Sequence, residues 1–452
     1  MPETSELKRS VSGVRGIVGD TLTPELVARH AAAFGSLLSG DKVVVASDTR
    51  PTGPMIKEAA ISGLQSVGCD VIDIGIAPTP TVPLAVTHFK AAGGIAVTAS
   101  HNPIEWNALK FIGSATQLLS PTLFDRIYYL ADGNGRIAYR GWDKIGSRTS
   151  SLAMLNVHIR RVLSLKQVAT RAVARRKPKV VLDAVNGAGS VYAPALLRKL
   201  ACRVVEIHCR PDGRFPRGTE PLPENLKDLC AAVVSHRADI GFALDPDADR
   251  LAVVDEQGKP LGEERTLVLA TEWVLSRTPG PVVINLSTTQ AVLDVAKSHK
   301  QRGYTAKVGE ANVAAMMKSK RAVIGGEGNG GVIMPSLHPG RDAMLGMALV
   351  LSYLSHADQP ISQLSAGLPM YYAAKTRKAP SGDWQDRLNR FADHFGTRGQ
   401  IDTRDGIKVT MDGESVHARA SNTEPIIRIS AEARTHKHAR ELLSAAQKSL
   451  GY

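Results

Sequence analysis

Two stretches of this sequence bring together side chains that can do chemistry. In the first, Thr98-Ala99-Ser100-His101-Asn102-Pro103 follows Gly93, Gly94 and the short apolar run 95–97. That order predicts a buried strand running into a tight loop. The loop presents the Ser100 hydroxyl at a strand end, where open α/β sheets bind their ligands. Taken alone, the same string also reads as an ordinary Ser/Asn/Pro turn. In the second stretch, Asp245-Pro246-Asp247-Ala248-Asp249-Arg250 follows the apolar run 240–244. Alternate residues of an extended segment share a face, so Asp245, Asp247 and Asp249 can converge. Unscreened, they repel and raise one another's pKa values. A divalent cation resolves the repulsion, and an all-oxygen donor set favours Mg²⁺ over zinc. An EF-hand is excluded although Glu256 falls at its twelfth position: Arg250 replaces the required glycine, and strand-like runs flank the loop. The plain alternative is a solvated acidic turn.

Two more loops carry hydrogen-bonding groups. Gly325-Gly326-Glu327-Gly328-Asn329-Gly330-Gly331 lies between apolar runs 322–324 and 332–334. Its glycines let the backbone approach a ligand closely, and Glu327 and Asn329, two apart, suit sugar hydroxyls if the backbone is extended. A flexible loop is the alternative, though a linker seldom lies directly between two apolar strands. In Arg419-Ala420-Ser421-Asn422-Thr423-Glu424-Pro425 an arginine, two hydroxyls and an amide can donate to phosphate oxygens, and successive backbone N–H groups can form an anion nest. Arg15, between Gly13 and Gly16, can be aimed inward by a bent backbone. Lys110 can face the same cleft as Ser100. For both, a solvated surface position is the commoner case.

The elements that must position these groups alternate. Thr23 caps a helix opened by Pro24 and Glu25. A strand at 42–46, a helix at 54–67 and a strand at 71–74, stopped by Pro78-Thr79-Pro80, predict a mainly parallel sheet. Residues 139–151 turn polar and mark a first boundary. A second αβ unit has a strand at 180–183 and a turn at Asn186-Gly187-Ala188-Gly189, which fits either phosphate binding or tight strand-to-helix packing. A third contains a strand at 282–286 and the loop Val308-Gly309-Glu310-Ala311-Asn312. Beyond residue 370, short alternating segments such as 407–411 and a final helix at 436–450 predict a small α+β domain. The expected architecture is α/β: three similar αβ domains at 1–150, 151–256 and 257–368 with mixed, mainly parallel sheets, then an α+β domain at 369–452.

A chain of 452 residues is too long for one core. No apolar run is long enough to span a membrane. The polar segment 1–10 predicts no secretory signal. Cys69, Cys202, Cys209 and Cys230 form no CxxC pair, so a zinc site or disulfide framework is not indicated and a cytoplasmic location is expected. The net charge of +13 fits nucleic acid, a small anionic substrate or plain solubility. The basic run 171–179 lacks interleaved aromatics and reads as a solvated linker or helix end. An aromatic content of 5% and the absence of a binding module argue against nucleic acid.

In order, TASHNP, DPDADR, GEGNGG and RASNTEP resemble the α-D-phosphohexomutase family, which includes phosphoglucomutase, phosphomannomutase and phosphoglucosamine mutase. The likeness covers essentially the whole chain and extends to SGVRG, to Asp48-x-Arg50 and to the NGAG turn. It implies four domains around a central cleft. It implies that Ser100 is a phosphoserine, that Asp245, Asp247 and Asp249 hold one Mg²⁺ with Ser100 as a further ligand, and that Arg15, His101, Lys110 and Arg250 surround the serine. By the same resemblance, Glu327 and Asn329 bind the sugar, and Arg419, Ser421, Asn422 and Thr423 bind the phosphate that is not reacting. A sugar 1,6-bisphosphate would be intermediate and activator, and the protein a monomer or homodimer whose partner is a phosphosugar, with no nucleic acid and no membrane. Departures exist. Many members end the sugar loop in Ser-Gly-His, where this chain has Asn329-Gly330-Gly331, and some hexose mutases carry a histidine near Glu310. The pattern looks most like the phosphoglucosamine mutases, with phosphomannomutase or phosphoglucomutase as the alternative, and Glu310 is the expected neighbour of sugar carbon 2.

Overall fold

The computed structural model describes residues 7–10, 13–38, 41–114, 119–379, 383–421 and 426–452. Among them, the first unit has β1 (Lys8–Ser10), β2 (Gly13–Ile17), β3 (Val43–Ser47), β4 (Val71–Ile76), β5 (Gly93–Val97), β6 (Trp106–Gly113) and β7 (Arg148–Ser150), in sheet order β1-β2-β6-β5-β3-β4-β7. The stretch β5-β3-β4-β7 is parallel, and β6 returns antiparallel to β5. β3 is buried along its whole length, as a central parallel strand covered on both faces must be.

The second sheet has β8 (Lys179–Asp183), β9 (Arg203–Ile207), β10 (Ile240–Leu244) and β11 (Leu251–Val254), ordered β11-β10-β8-β9. The third has β12 (Val282–Asn285), β13 (Gly303–Ala306), β14 (Ile324–Glu327) and β15 (Gly331–Ile333), ordered β13-β12-β14-β15. In both, a parallel strand turns back into an antiparallel partner, β10 into β11 and β14 into β15. The serine, aspartate and glycine-rich loops therefore occupy one place in three copies of one design: the connection where the last parallel strand reverses. The fourth unit is fully antiparallel, with β16 (Tyr372–Lys378), β17 (Gln400–Asp402), β18 (Ile407–Met411), β19 (Glu414–Ala420) and β20 (Ile427–Ala433) ordered β16-β20-β19-β18-β17. Its arginine loop joins β19 to β20.

One apolar cluster runs through the first three units, from Val44 on β3 through Leu182 on β8 to Ile284 on β12. At its centre is the helix Ala343–Ala357, apolar all round and buried at Leu345, Met347, Leu349 and Leu351. Asp342 caps it, its Oδ1 accepting from the Leu345 N–H at 3.1 Å. A second cluster fills the other face of the first sheet. The fourth unit has its own core around Phe391, Phe395, Val409 and Ile429. It meets the third unit through polar bonds: Lys408 Nζ to Leu286 O at 2.7 Å, Gln290 N to Glu432 Oε2 at 3.1 Å, and Val308 N to Asp405 Oδ2 at 2.9 Å.

The expected helix cap at Thr23 forms, with its hydroxyl accepting from Leu26 N at 3.3 Å. The prolines at 78 and 80 end β4 as expected but also open a helix, Thr81–Phe89, that the strand pattern did not indicate. The helix Trp384–Phe395 was likewise unread; only Leu388, Phe391 and Phe395 of it are buried. The basic run forms the helix Thr170–Arg176, ended by Lys177 in the left-handed region. Among the described residues no helix is long and apolar enough to cross a membrane.

Candidate active site

Ser100 sits just past β5 in a left-handed conformation (φ 51°), 5% exposed. Its loop is braced by Arg50, itself 1% exposed. The guanidinium donates to Ser100 O at 2.6 Å, Asn102 O at 2.7 Å and Trp106 O at 3.0 Å, and its Nε is 3.1 Å from Asp48 Oδ2. Thr98 Oγ1 donates to the same Asp48 oxygen at 2.6 Å and accepts from Ser100 N at 3.0 Å. One buried ion pair thus holds the loop at the carbonyls of Ser100, Asn102 and Trp106. From it, Ser100 Oγ reaches Asp245 Oδ2 at 3.1 Å across the boundary between the first two units.

The three aspartates converge as the alternation predicts, one oxygen of each lying within 4.8 Å of the others. Each carboxylate is anchored through one oxygen. Asp245 Oδ1 accepts from the Asp249 and Arg250 N–H groups at 3.1 Å each. Asp247 Oδ2 accepts from Lys110 Nζ at 2.6 Å and Thr79 Oγ1 at 2.5 Å. Asp249 Oδ2 accepts from Arg341 Nη2 at 2.7 Å. Asp247 Oδ1 and Asp249 Oδ1 are buried and make no hydrogen bond. Burial, followed by Asp247 and Asp249, drives the Asp245 carboxyl far above the usual range. Burial acts upward on Asp247 too, but Lys110 and its hydrogen bonds outweigh it and hold that carboxyl well below the usual range. Three converging carboxylates, with two buried oxygens that make no hydrogen bond, fit a hard divalent cation held by single carboxylate oxygens. Glu256 takes no part, since its carboxylate accepts from the Ser362 N–H.

The NGAG turn supports this loop instead of opening a phosphate site: a Cβ on Gly187 would lie 2.5 Å from Pro246 O. His101 Nδ1 is 2.9 Å from Arg250 Nη2, so it accepts and the ring carries its proton on Nε2. Burial, then Arg250 and Arg15, push its pKa down to about 2. Arg15, on β2, reaches Asn102 Oδ1 at 3.2 Å.

Glu327 ends β14 and is 6% exposed. Its Oε1 accepts from Asn285 Nδ2 at 2.8 Å and Gly309 N at 3.2 Å. Asn329 differs from expectation. Residues 328–330 form a hairpin turn, not an extended segment, and Asn329 Oδ1 accepts from Gly331 N at 3.2 Å. The turn is imposed by Gly330 (φ 84°), where a Cβ would lie 2.3 Å from Leu251 O. Leu251 N donates to Gly330 O at 3.1 Å, joining the sugar loop to the strand that leaves the metal loop.

The sequence reading missed Arg341. Its guanidinium meets Asp249 at 2.7 Å, Glu327 at 2.8 Å and Glu310 at 2.9 Å. Glu310 is therefore ion-paired, with its side chain 22% exposed. Burial pushes its carboxyl up to about 7 against the pull of Arg341. A charge balance over the motifs was the available signal: Asp245, Asp247, Asp249, Glu310 and Glu327 outnumber Lys110 and Arg250. In the fourth unit, Arg419 on β19 is 8% exposed, pairs across the ladder with Arg428 on β20, and donates to Ala420 O at 3.2 Å. Ser421 N donates to Ile426 O at 2.8 Å. Asn422 and Thr423 lie outside the described residues.

Four phosphoglucomutase/phosphomannomutase domain descriptions match in order: alpha/beta/alpha domain I at residues 6–135, domain II at 156–258, domain III at 262–372 and the C-terminal domain at 381–448. The chain is 38% identical over 449 residues to the "Phosphoglucomutase/phosphomannomutase" of Thermococcus kodakarensis, covering 97% of each. It is 37% identical over 438 residues to the "Probable phosphoglucosamine mutase" of Methanopyrus kandleri, covering 95% of each. Among solved structures, a phosphoglucomutase/phosphomannomutase family protein from Burkholderia thailandensis superposes with a TM-score of 0.84 at 27% identity, covering 98% of each chain.

Proposed function

The chain belongs to the phosphoglucomutase/phosphomannomutase family of α-D-phosphohexomutases, and we propose that it converts glucosamine 6-phosphate to glucosamine 1-phosphate through a phosphoserine at Ser100. The observation that carries the site assignment is the Ser100 hydroxyl, 3.1 Å from Asp245 in a buried cluster whose other two aspartates each keep one buried oxygen without a hydrogen bond.

Roles follow from position. Ser100 gives its phosphoryl group to the free end of the sugar, forming a 1,6-bisphosphate, and takes in return the phosphoryl group that the other end already carried. Asp245, Asp247 and Asp249, with Ser100 as a further ligand, would hold one Mg²⁺, which would supply charge neutralisation to the transferring phosphoryl group. Arg15, Arg250 and Lys110 add fixed positive charge around it, and neutral His101 keeps a donor on Nε2. Glu327 and Asn329 contact the sugar hydroxyls. Arg419, Ser421, Asn422 and Thr423 hold the phosphate that is not reacting, at whichever end it lies. Each of the four units, taken as 1–150, 151–256, 257–368 and 369–452, contributes one loop.

Support for glucosamine is the half-buried Glu310 carboxylate, tied through Arg341 to Glu327 and so adjoining the sugar loop. A carboxylate near carbon 2 favours an amine over a hydroxyl. The test is kcat/KM for glucosamine, glucose and mannose 6-phosphates with a 1,6-bisphosphate activator, alongside intact-mass analysis. The expected outcome is the highest value for glucosamine 6-phosphate and one phosphate on the wild-type chain that is absent from Ser100→Ala. A preference for mannose 6-phosphate overturns the substrate, and an unphosphorylated active enzyme overturns the mechanism.

A further inference from the structure

Arg341 is the one guanidinium among the described residues that bonds both the metal loop and the sugar loop. Its three nitrogens take three carboxylates from three places in the fold. Nη2 holds Asp249 Oδ2 on the loop after β10 at 2.7 Å, Nη1 holds Glu327 Oε2 at the end of β14 at 2.8 Å, and Nε holds Glu310 Oε2 at the start of the helix Glu310–Lys320 at 2.9 Å. The planar fork meets all three from three separate nitrogens in a fixed geometry, where an ammonium gathers its donors on one rotatable nitrogen.

The arginine is itself fixed. Gly331 leaves no room beside it: a Cβ there would lie 2.2 Å from Arg341 Cδ. Its neighbour Asp342 is fully buried, accepting from His158 Nε2 at 2.8 Å and His338 Nε2 at 2.9 Å and capping the central helix. The guanidinium thus sits one residue before the buried cap of the central helix, tied to that helix and not to either loop alone.

Resting on the metal and sugar assignments above, we infer that Arg341 is a positioning residue that couples cation binding at the aspartates to sugar binding at Glu327. Asp249 offers Oδ1 to a cation while Arg341 holds Oδ2. A divalent cation on Oδ1 draws charge from that carboxylate and weakens its hold on Nη2. The guanidinium then bonds Glu327 and Glu310 more strongly and fixes Glu327 for the sugar. Sugar binding at Glu327 must favour the cation by the same factor, because the coupling is reciprocal.

The experiment uses the dephosphorylated full-length enzyme, which has no phosphoryl group to transfer. Calorimetric titrations measure the Kd of glucosamine 6-phosphate with and without MgCl₂, and of Mg²⁺ with and without the sugar. On the assignments above, the single phosphate of this probe goes to the fourth unit, away from the aspartates, so direct phosphate–metal contact does not enter. The expected result is mutual tightening by a factor between about 5 and 150 in the wild type. In Arg341→Gln and in Arg341→Lys it falls to within about twofold of unity, with the melting temperature showing both folded. Should the glutamine variant not fold, the lysine variant decides. Wild-type coupling in either folded variant, or none in the wild type, overturns the inference. Asp249→Asn and Glu327→Ala separate the two levels: if neither weakens its own ligand, the site assignment fails, and if both do while Arg341→Gln keeps the coupling, only the role of Arg341 fails.

Discussion

The three loops of the first, second and third units and the arginine loop of the fourth are all reversals between antiparallel strands, yet they are held in opposite ways. The first three stand on one continuous apolar core and are cross-braced by buried bonds: Ser100 to Asp245, Lys110 to Asp247, Arg341 to Asp249 and Glu327, and Leu251 N to Gly330 O. The fourth stands on a separate core and docks through Lys408, Asp405 and Glu432. Separating an apolar interface costs about 25 cal/mol for every Å² exposed. Protein hydrogen bonds are exchanged for bonds to water at a net ~0.5–1.5 kcal/mol each. Groups that must meet a transferring phosphoryl group at fixed distance belong on the first kind of support. A site that must release and regrip a sugar while it turns belongs on the second.

Four substitutions separate the two halves. Ser100→Ala acts on the fixed half and should have the largest effect. Mutase activity falls by more than the ~10²–10³-fold that follows loss of a single transition-state donor, while calorimetric binding of the phosphosugar to the fourth unit persists. Loss of binding as well would mean that the halves are not independent. Arg419→Ala does the reverse. A charge-assisted bond of ~1.5–3 kcal/mol predicts a fall in kcat/KM of about one to two orders of magnitude, mostly through KM, with the Ser100 phosphate retained in the mass spectrum. Glu310→Gln should be smaller still, shifting only the ratio of kcat/KM for glucosamine 6-phosphate over glucose 6-phosphate, whereas Glu327→Ala weakens both sugars. An unmoved ratio removes Glu310 from carbon 2.

The legibility of this chain follows the same division. Ser100 and the aspartates were readable because each closes an apolar run, and strand alternation fixes which carboxylates share a face. The direction of β6, β11 and β15 was less so, because period-two alternation is the same for parallel and antiparallel strands. Arg341 escaped because its three partners lie 92, 14 and 31 residues away, and spacing carries no trace of such contacts. The turn at 328–330 escaped because glycines permit extended and reversed backbones alike; what selects the reversal is the approach of Leu251, a contact between units. Arg50 showed only as part of a short motif, yet it bonds four loop carbonyls, with Pro103 O among them at 2.5 Å.

The smallest expected effect tests the docking of the fourth unit directly. Glu432 on β20 is 8% exposed, and its Oε2 accepts from the Gln290 N–H on the third unit. Burial, and then the Glu264 carboxylate, push its pKa up to about 7, while Thr289, Gln290 and Lys408 pull the other way. Lys375 sits on the far side of Glu264, at 2.9 Å from its Oε1, and is held charged by it. In an unfolded or undocked chain the same carboxyl ionises near 4.3. The docked state therefore binds the proton more tightly, so this contribution to docking is complete below about pH 4.3 and is lost as the pH rises through about 7. Its full span is about 3–4 kcal/mol as an order of magnitude. Hydrogen exchange at the Gln290 amide reports it: the protection factor, corrected for intrinsic exchange, should fall from about pH 4.5 to about pH 7 and level off above it. Glu432→Gln keeps an acceptor for Gln290 and removes the titration, so its protection should stay flat over the same window. A wild-type profile as flat as the variant's would show that Lys408 and Lys375 already neutralise the carboxylate, and that the fourth unit is gripped as firmly as the other three.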